Sequence, residues 1–273
     1  MARLLGKVII VTGASRGIGR ALANGLAQEG ARLVVTARPR SEQTLDAIAR
    51  SIAERCGTEI MPICADVNHA AQCESLIEKA LMRFGAVHAL INNAGIGMDR
   101  VGPRTRNERG FHRVPVAIWK EIVEANINGP FLMSRAVMPA FIAARRGRII
   151  NVTTSYDTML REGFSPYGPC KLALEGLSVV WAKELADTGI FVNSLCPGGA
   201  TDTRMMPHED FPDRSKLLSP GVMVPPAVWL CSDASEGVTG TRIVAKEWND
   251  SLGPKEAFRR ASMRLEIQGV PAF

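Results

Sequence analysis

The chain has 273 residues, 46% hydrophobic and 22% charged, a balance that excludes a disordered chain and fits a folded protein with a sizeable core. No apolar run reaches the roughly 18 residues needed to cross a bilayer, and residues 1–7 are too short and polar for a signal peptide. A soluble cytoplasmic protein without a membrane partner is therefore expected. The net charge of +6 is modest. Arg100, Arg104, Arg106, Arg109 and Arg113 lie in one stretch, yet no aromatic residues interleave with them for base stacking, so nucleic acid is not an expected partner. Cys56, Cys64, Cys73, Cys170, Cys196 and Cys231 form no CxxC pair and have no closely spaced histidine, which argues for reduced thiols and no metal site.

In chain order, residues 7–12 form a short β-branched run ending in glycine, the pattern of a buried parallel strand. Ile18, Ala21, Leu22, Gly25, Leu26 and Glu29 then follow helical spacing, closed by Gly30. Strands are predicted at 32–36, 59–64 and 87–91. The helices between them are marked by Leu45, Ile48, Ala49, Ile52 and Ala53, and then by Leu76, Ile77, Ala80, Leu81 and Phe84. A long helix over 116–144, a strand at 148–153, a helix over 169–187 and strands at 190–196 and 241–245 complete the alternation. This rhythm predicts an α/β fold: a single doubly wound Rossmann-type domain over 1–250 with a mostly parallel seven-stranded sheet, ordered 3-2-1-4-5-6-7. Residues 251–273 read as a C-terminal tail that packs on a partner subunit or stays mobile. Two irregular stretches, 97–115 and 198–225, have the length of functional loops.

Residues 12–19, Thr-Gly-Ala-Ser-Arg-Gly-Ile-Gly, join the first strand to the first helix. Gly13, Gly17 and Gly19 let the backbone turn sharply toward a pyrophosphate. Ser15, Arg16 and Ile18 complete the loop, and the helix N-terminus offers free N–H groups to the anion. No Gly-Lys-Ser/Thr follows, so a nucleoside-triphosphate loop fits poorly. An NAD site would place an acid near the end of the second strand; here Arg38 stands there. With Arg16 it suits a 2′-phosphate through charge-assisted hydrogen bonds, so NADP(H) is expected over NAD(H).

Tyr167 and Lys171 are four residues apart at the start of a predicted helix, so the phenol and the ammonium share a face. Such a pairing suits proton transfer. Pro169 between them fits only if it lies in the first turn, where its missing N–H costs little. Asp66-Val67 follows the third strand and Asn92-Asn93-Ala94-Gly95 the fourth. Asn126 lies in the long helix, Asn151-Val152-Thr153-Thr154 ends the fifth strand and Pro197-Gly198 follows the sixth. In this order and spacing, over residues 7 to about 245, the chain resembles the short-chain dehydrogenase/reductase family.

The resemblance implies a role for each matching position. Asp66 and Val67 would meet the adenine, while Asn93, Ala94 and Gly95 would line the adenosine ribose side and support the sheet. Tyr167 would give or take the proton of a carbonyl/alcohol pair. Lys171 would hold the nicotinamide ribose and depress the tyrosine pKa, and Asn126 would keep a water in a relay to it. Pro197 and Gly198, with Thr201 or Thr203, would face the carboxamide. Where the family usually has serine to polarise the substrate oxygen, this chain has Thr154, with Ser155 as the second candidate. Residues 245–250 replace a paired-glycine segment common in the family. The implied function is NADP(H)-dependent interconversion of a carbonyl and an alcohol in a homo-oligomer, tetramer or dimer. The alternative is a cofactor-binding sensor or regulatory protein of the same fold with little turnover; Tyr167, Lys171 and Asn126 weigh against it. His69, His88, His112 and His208 have no ligand spacing, and Met205 and Met206 suit an apolar pocket wall.

Overall fold

The apolar runs and helical repeats alternate in space as they do along the chain. The computed structural model describes residues 2–101, 110–206, 209 and 211–264. Strand β1 (Val8–Thr12) is followed by α1 (Gly17–Gln28), β2 (Arg32–Ala37), α2 (Glu42–Cys56), β3 (Ile60–Cys64), α3 (Ala70–Phe84) and β4 (Ala89–Asn92). Helix α4 (Val116–Val123) runs through one π-helical segment (Glu124–Asn128) into α5 (Gly129–Ala144). Then come β5 (Gly147–Val152), a short α6 (Tyr156–Met159), α7 (Tyr167–Glu184) and β6 (Ile190–Cys196). The chain continues through α8 (Val224–Cys231), β7 (Thr241–Val244), α9 (Pro254–Ala261) and β8 (Ser262–Arg264).

The sheet order is β3-β2-β1-β4-β5-β6-β7-β8. The predicted order of the first seven strands holds, and all of them pair in parallel. The expected strand count is corrected from seven to eight. Strand β8 adds antiparallel to β7, with Ile243 opposite Ser262 and Thr241 opposite Arg264. Three residues are too few to display a two-residue period, so sequence pattern could not announce this strand. It covers an edge of β7 that would otherwise present unpaired backbone groups. Residues 254–264, placed by sequence in the C-terminal tail, thus fold against the same sheet. Phe258 of α9 stacks on Trp229 of α8 with ring centroids 4.8 Å apart.

Strand residues alternate between two cores. Ile9, Val11, Leu33 and Val35 face the side covered by α1, α2 and α8. Val8, Ile10, Val34 and Leu90 face the side covered by α3 and α5. Both faces are buried, which is why the strands read as continuous apolar runs. Each fully buried large aliphatic side chain contributes roughly 1.5–3 kcal/mol to this packing. The winding reverses between β1 and β4, since β2 lies on one side of β1 and β4 on the other. The carboxyl ends of these two strands therefore flank the crevice in which such sheets bind ligands. Among the described residues, no helix is long and apolar enough to cross a membrane.

Candidate functional site

The glycine turn is built around one hydroxyl. Thr12 Oγ1 accepts hydrogen bonds from the backbone amides of Asn93 at 3.0 Å and Ala94 at 2.9 Å, and donates to the Ile91 carbonyl at 3.3 Å. The Asn93 side chain donates to the carbonyls of Thr12 at 2.8 Å and Gly13 at 3.3 Å. Asn93 therefore braces the turn with its amide, and β1 and β4 are locked at their carboxyl ends. A Cβ on Gly19 would sit 2.3 Å from the Gly13 carbonyl oxygen, and Gly13 itself has φ +67°. No other residue fits either place. Arg16 begins α1 with an extended backbone and no capping side chain, and the first turn holds no acid. The free N–H groups at this end are thus available to an anion. Sequence reasoning passed over Thr12, although a hydroxyl at a strand end directly before the turn was the available signal.

The two arginines differ. Arg38 pairs with Asp66 at 3.4 Å and with Glu121 at 3.3 Å, and Glu121 also takes Arg100 at 2.9 Å. No acid stands directly at the end of the second strand in sequence, but α4 brings Glu121 there in space. Arg16 has no ion pair among the described residues. Burial lowers its pKa, and the nearby cations Arg204, Arg40 and Arg38 push the same way, partly opposed by Asp99. A concentration of positive charge with an unpaired guanidinium is what a phosphate monoester would neutralise. Val67 is buried against α5, where a Cβ on Gly129 would meet its side chain at 2.8 Å.

Across the crevice, Asn126 lies in the π-helical segment of the expected long helix. Its Nδ2 donates to the Ile122 carbonyl at 2.8 Å and the Ile96 carbonyl at 2.9 Å. A side chain bonded into the ladder is one of the identifiable causes of a break in regular helix. Its Oδ1 is buried with no partner among the described residues, and a Cβ on Gly95 would approach that atom to 2.7 Å and Lys171 Nζ to 3.6 Å. Gly95 thus keeps open the space between Asn126 and Lys171.

Helix α7 starts at Tyr167, so Pro169 falls in the first turn as its chemistry requires. Gly168 allows this start to lie on α6, because a Cβ there would be 2.6 Å from the carbonyl oxygens of Thr158 and Met159. Lys171 Nζ donates to the Val152 carbonyl at 3.0 Å and stands 6.0 Å from the Tyr167 ring centroid. Burial pushes the Tyr167 phenol up to about 12, against a hydrogen bond from Thr154 that pulls it down and the nearby charge of Asp99 that raises it. Burial pushes Lys171 down to about 8. The expected depression of the tyrosine by Lys171 is therefore reversed in the protein alone, because loss of water outweighs the other effects on the phenol. Ser155 is engaged elsewhere: its Oγ caps α6 and bonds the Thr158 hydroxyl at 3.0 Å. Of the two candidate hydroxyls, Thr154 is the one whose hydrogen bond pulls the Tyr167 pKa down.

The late loop crosses over this crevice. Gly198 has φ +87°, and a Cβ there would meet Lys246 and Val244 side chains at 2.6 Å. Thr201 is buried with its hydroxyl on the Gly199 carbonyl, whereas Thr203 packs on Gly17 of the turn. Arg214 holds the loop through Asp202 and the Thr203 carbonyl, a tether that no local spacing announces. Met205 packs on Gly97 and joins the apolar group of Ile96, Met98, Phe164 and Tyr167. Arg104, Arg106, Arg109 and His208 lie outside the described residues. Among the described residues no three His, Cys, Asp or Glu side chains converge on a metal position.

Known proteins are similar to this chain in sequence and in fold. A family model described as short chain dehydrogenase matches residues 7–211. The 3-oxoacyl-(acyl-carrier-protein) reductase FabG of Escherichia coli (strain K12) is 38% identical over 193 residues, 71% of this chain and 73% of that protein. The enzyme of that name from Thermotoga maritima is 31% identical over 249 residues, 87% of this chain and 95% of its own length. A metagenomic short-chain oxidoreductase solved in complex with NADP superposes with a TM-score of 0.73 at 29% identity, covering 89% of this chain and 97% of that one.

Proposed function

The chain belongs to the short-chain dehydrogenase family, and on that premise we propose that it is an NADP(H)-dependent oxidoreductase interconverting a carbonyl and an alcohol, with Tyr167 as general acid and base. The observation that carries this reading is the convergence of Thr154 and Lys171 on a buried Tyr167 beside the crevice between β1 and β4. When bound, the nicotinamide supplies or accepts the hydride. In the reducing direction Tyr167 gives its phenolic proton to the carbonyl oxygen, and a pKa near 12 keeps that proton in place at neutral pH. The Thr154 hydroxyl donates a second hydrogen bond to the same oxygen as charge develops on it. Lys171 holds the nicotinamide ribose, and the free Oδ1 of Asn126 accepts from a water that relays protons toward Lys171.

The residues present fit the cofactor. Gly13, Ser15, Arg16, Gly17, Ile18 and Gly19 hold the pyrophosphate, and Arg16 with Arg38 holds the 2′-phosphate. Asp66 and Val67 take the adenine, Asn93, Ala94 and Gly95 the ribose beside it. Pro197, Gly198 and Thr203 face the carboxamide, with Thr201 supporting the loop behind them. The preference for NADP(H) is supported by Arg16, which has no ion pair among the described residues, and by the NADP bound to a similar structure. The subunit assembles as a homo-oligomer through the exposed apolar residues of α5 and α7, among them Phe131, Ile142 and Val180.

The test is NADPH consumption over a panel of ketones, aldehydes, sugars and quinones, repeated with NADH. Because similar proteins are named for it, a 3-oxoacyl group on an acyl carrier protein heads the panel. Oxidation of NADPH with at least one carbonyl, about tenfold or more faster than with NADH, is the expected result. Tight NADPH binding with no turnover on any of them would overturn the reading.

A further inference from the structure

Two buried charges stand behind Thr154 and have no part in the proton transfer described above. Glu175 on α7 and Arg242 on β7 are 2% and 4% exposed, and their ion pair measures 2.9 Å. A buried pair is expensive to desolvate and is weak evidence of stabilisation, so its placement calls for another explanation. Its further bonds go to the end of β5. Arg242 Nη2 donates to the Thr154 carbonyl at 2.9 Å, and the Thr153 hydroxyl donates to Glu175 Oε1 at 2.7 Å. The guanidinium also lies over the Tyr156 ring, 4.1 Å from its centroid. One residue before Thr153, the Val152 carbonyl receives Lys171. Tyr167, Lys171 and Glu175 follow one another at four-residue intervals along α7, so they share a face of that helix.

We propose that the Glu175–Arg242 pair is a positioning device that fixes the Thr154 backbone from α7 and β7 at once, so that the Thr154 hydroxyl faces Tyr167. Neither residue touches the reacting atoms. The strand ends at Val152, and beyond it the chain must place a single hydroxyl against a phenol carried by a helix. A guanidinium gripping the carbonyl of that same residue, held in turn by a carboxylate of that same helix, sets the distance between them. The inference rests on the reading of Tyr167 and Thr154 as the reacting pair.

Removing one charge would leave the other buried and uncompensated, so single neutral variants are expected to fold poorly. The double variant Glu175→Leu/Arg242→Met removes both charges at similar volume. The chain has only two tyrosines, so a protein labelled with 13C at the tyrosine Cζ gives two resonances, and Tyr167→Phe identifies which is which. The Tyr167 resonance of the double variant is expected to move as it does in Thr154→Val. Adding Thr154→Val to the double variant should move it no further, because coupled residues are not additive. With a reducible carbonyl, kcat should fall about tenfold or more while NADPH affinity stays within about twofold. A Tyr167 resonance left at its parent position overturns the proposal, whatever turnover does. If the unsubstituted protein reduces no carbonyl, the reading of its function fails, and the resonance still decides the positioning. Should the double variant not fold, Arg242→Lys keeps the charges balanced but replaces the planar fork that reaches Glu175 and the Thr154 carbonyl from two nitrogens with a single ammonium, and the same resonance is read.

Discussion

Lys171 meets Tyr167 at its ring: the ammonium lies 6.0 Å from the ring centroid and donates its hydrogen bond to the Val152 carbonyl at 3.0 Å. The two groups are thus neighbours on one helix face without an ammonium–phenol hydrogen bond among the described contacts. Burial decides their ionisation, raising the phenol to about 12 and lowering the lysine to about 8.

The Lys171 value has a consequence for stability. The unfolded chain keeps the ordinary lysine pKa of 10.5, against about 8 in the fold. Between these values the unfolded state binds more protons, so stability rises with pH from about 8 to 10.5. Below pH 8 the buried charge costs about 3 kcal/mol, the free-energy equivalent of that difference in pKa. Tyr167 has the opposite sign, with its contribution lost only as pH rises from about 10 to 12. Urea unfolding from pH 6 to 10 checks this. Lys171→Met should be more stable than the parent at pH 7 by up to about 3 kcal/mol and should lack the rise above pH 8.

Arg16 and Arg38 should not contribute equally to cofactor choice. Arg38 already has Asp66 and Glu121 as partners, whereas Arg16 has no ion pair among the described residues. A hydrogen bond to a charged group is worth about 1.5–3 kcal/mol, so Arg16→Ala should raise the NADPH Kd roughly 10- to 100-fold. Arg38→Ala should raise it less, and neither should change NADH binding by more than about threefold. Fluorescence titration with both nucleotides separates these outcomes.

These two arginines also mark what could be read in the sequence and what could not. The glycine turn, the seven parallel strands and the Tyr167–Lys171 spacing are local patterns, and each element lies where its periodicity placed it. The acid partners of Arg38 come from elsewhere in the chain, Glu121 being brought in by α4, so no local window contains the pair. The π-helical segment at Asn126 was hidden because apolar spacing over 116–144 reads as one regular helix. Helix α8 opens with Val224-Pro225, the last two residues of the stretch 198–225 read as irregular, since prolines that suit a first turn also mark irregular chain. Strand β8 is too short to show a period. Thr12, Glu175 and Arg242 act through bonds to distant backbone and side chains, which only the fold reveals.

The Thr12 hydroxyl joins β1 to β4 at the crevice. Thr12→Val keeps the shape but leaves the amides of Asn93 and Ala94 without their acceptor. Loss of about 2 kcal/mol or more is expected from thermal or urea unfolding. NADPH binding should weaken with it, since Asn93 also holds the carbonyls of Thr12 and Gly13.

Thr154 and Ser155 are separable by substitution. Thr154→Val removes the hydroxyl that meets Tyr167 and should lower kcat about 100-fold, while Thr154→Ser should stay within about tenfold of the parent. Ser155→Ala removes the α6 cap and should cost about 1 kcal/mol of stability with kcat little changed. Steady-state kinetics and melting curves on the three variants distinguish the roles.

The most direct test is the Tyr167→Phe variant, assayed with NADPH and a carbonyl that the parent reduces. Removing only the phenolic oxygen should lower kcat by about 100-fold or more, with the NADPH Kd within about threefold of the parent. Turnover at the parent rate with cofactor binding intact would contradict the assignment of proton transfer to Tyr167.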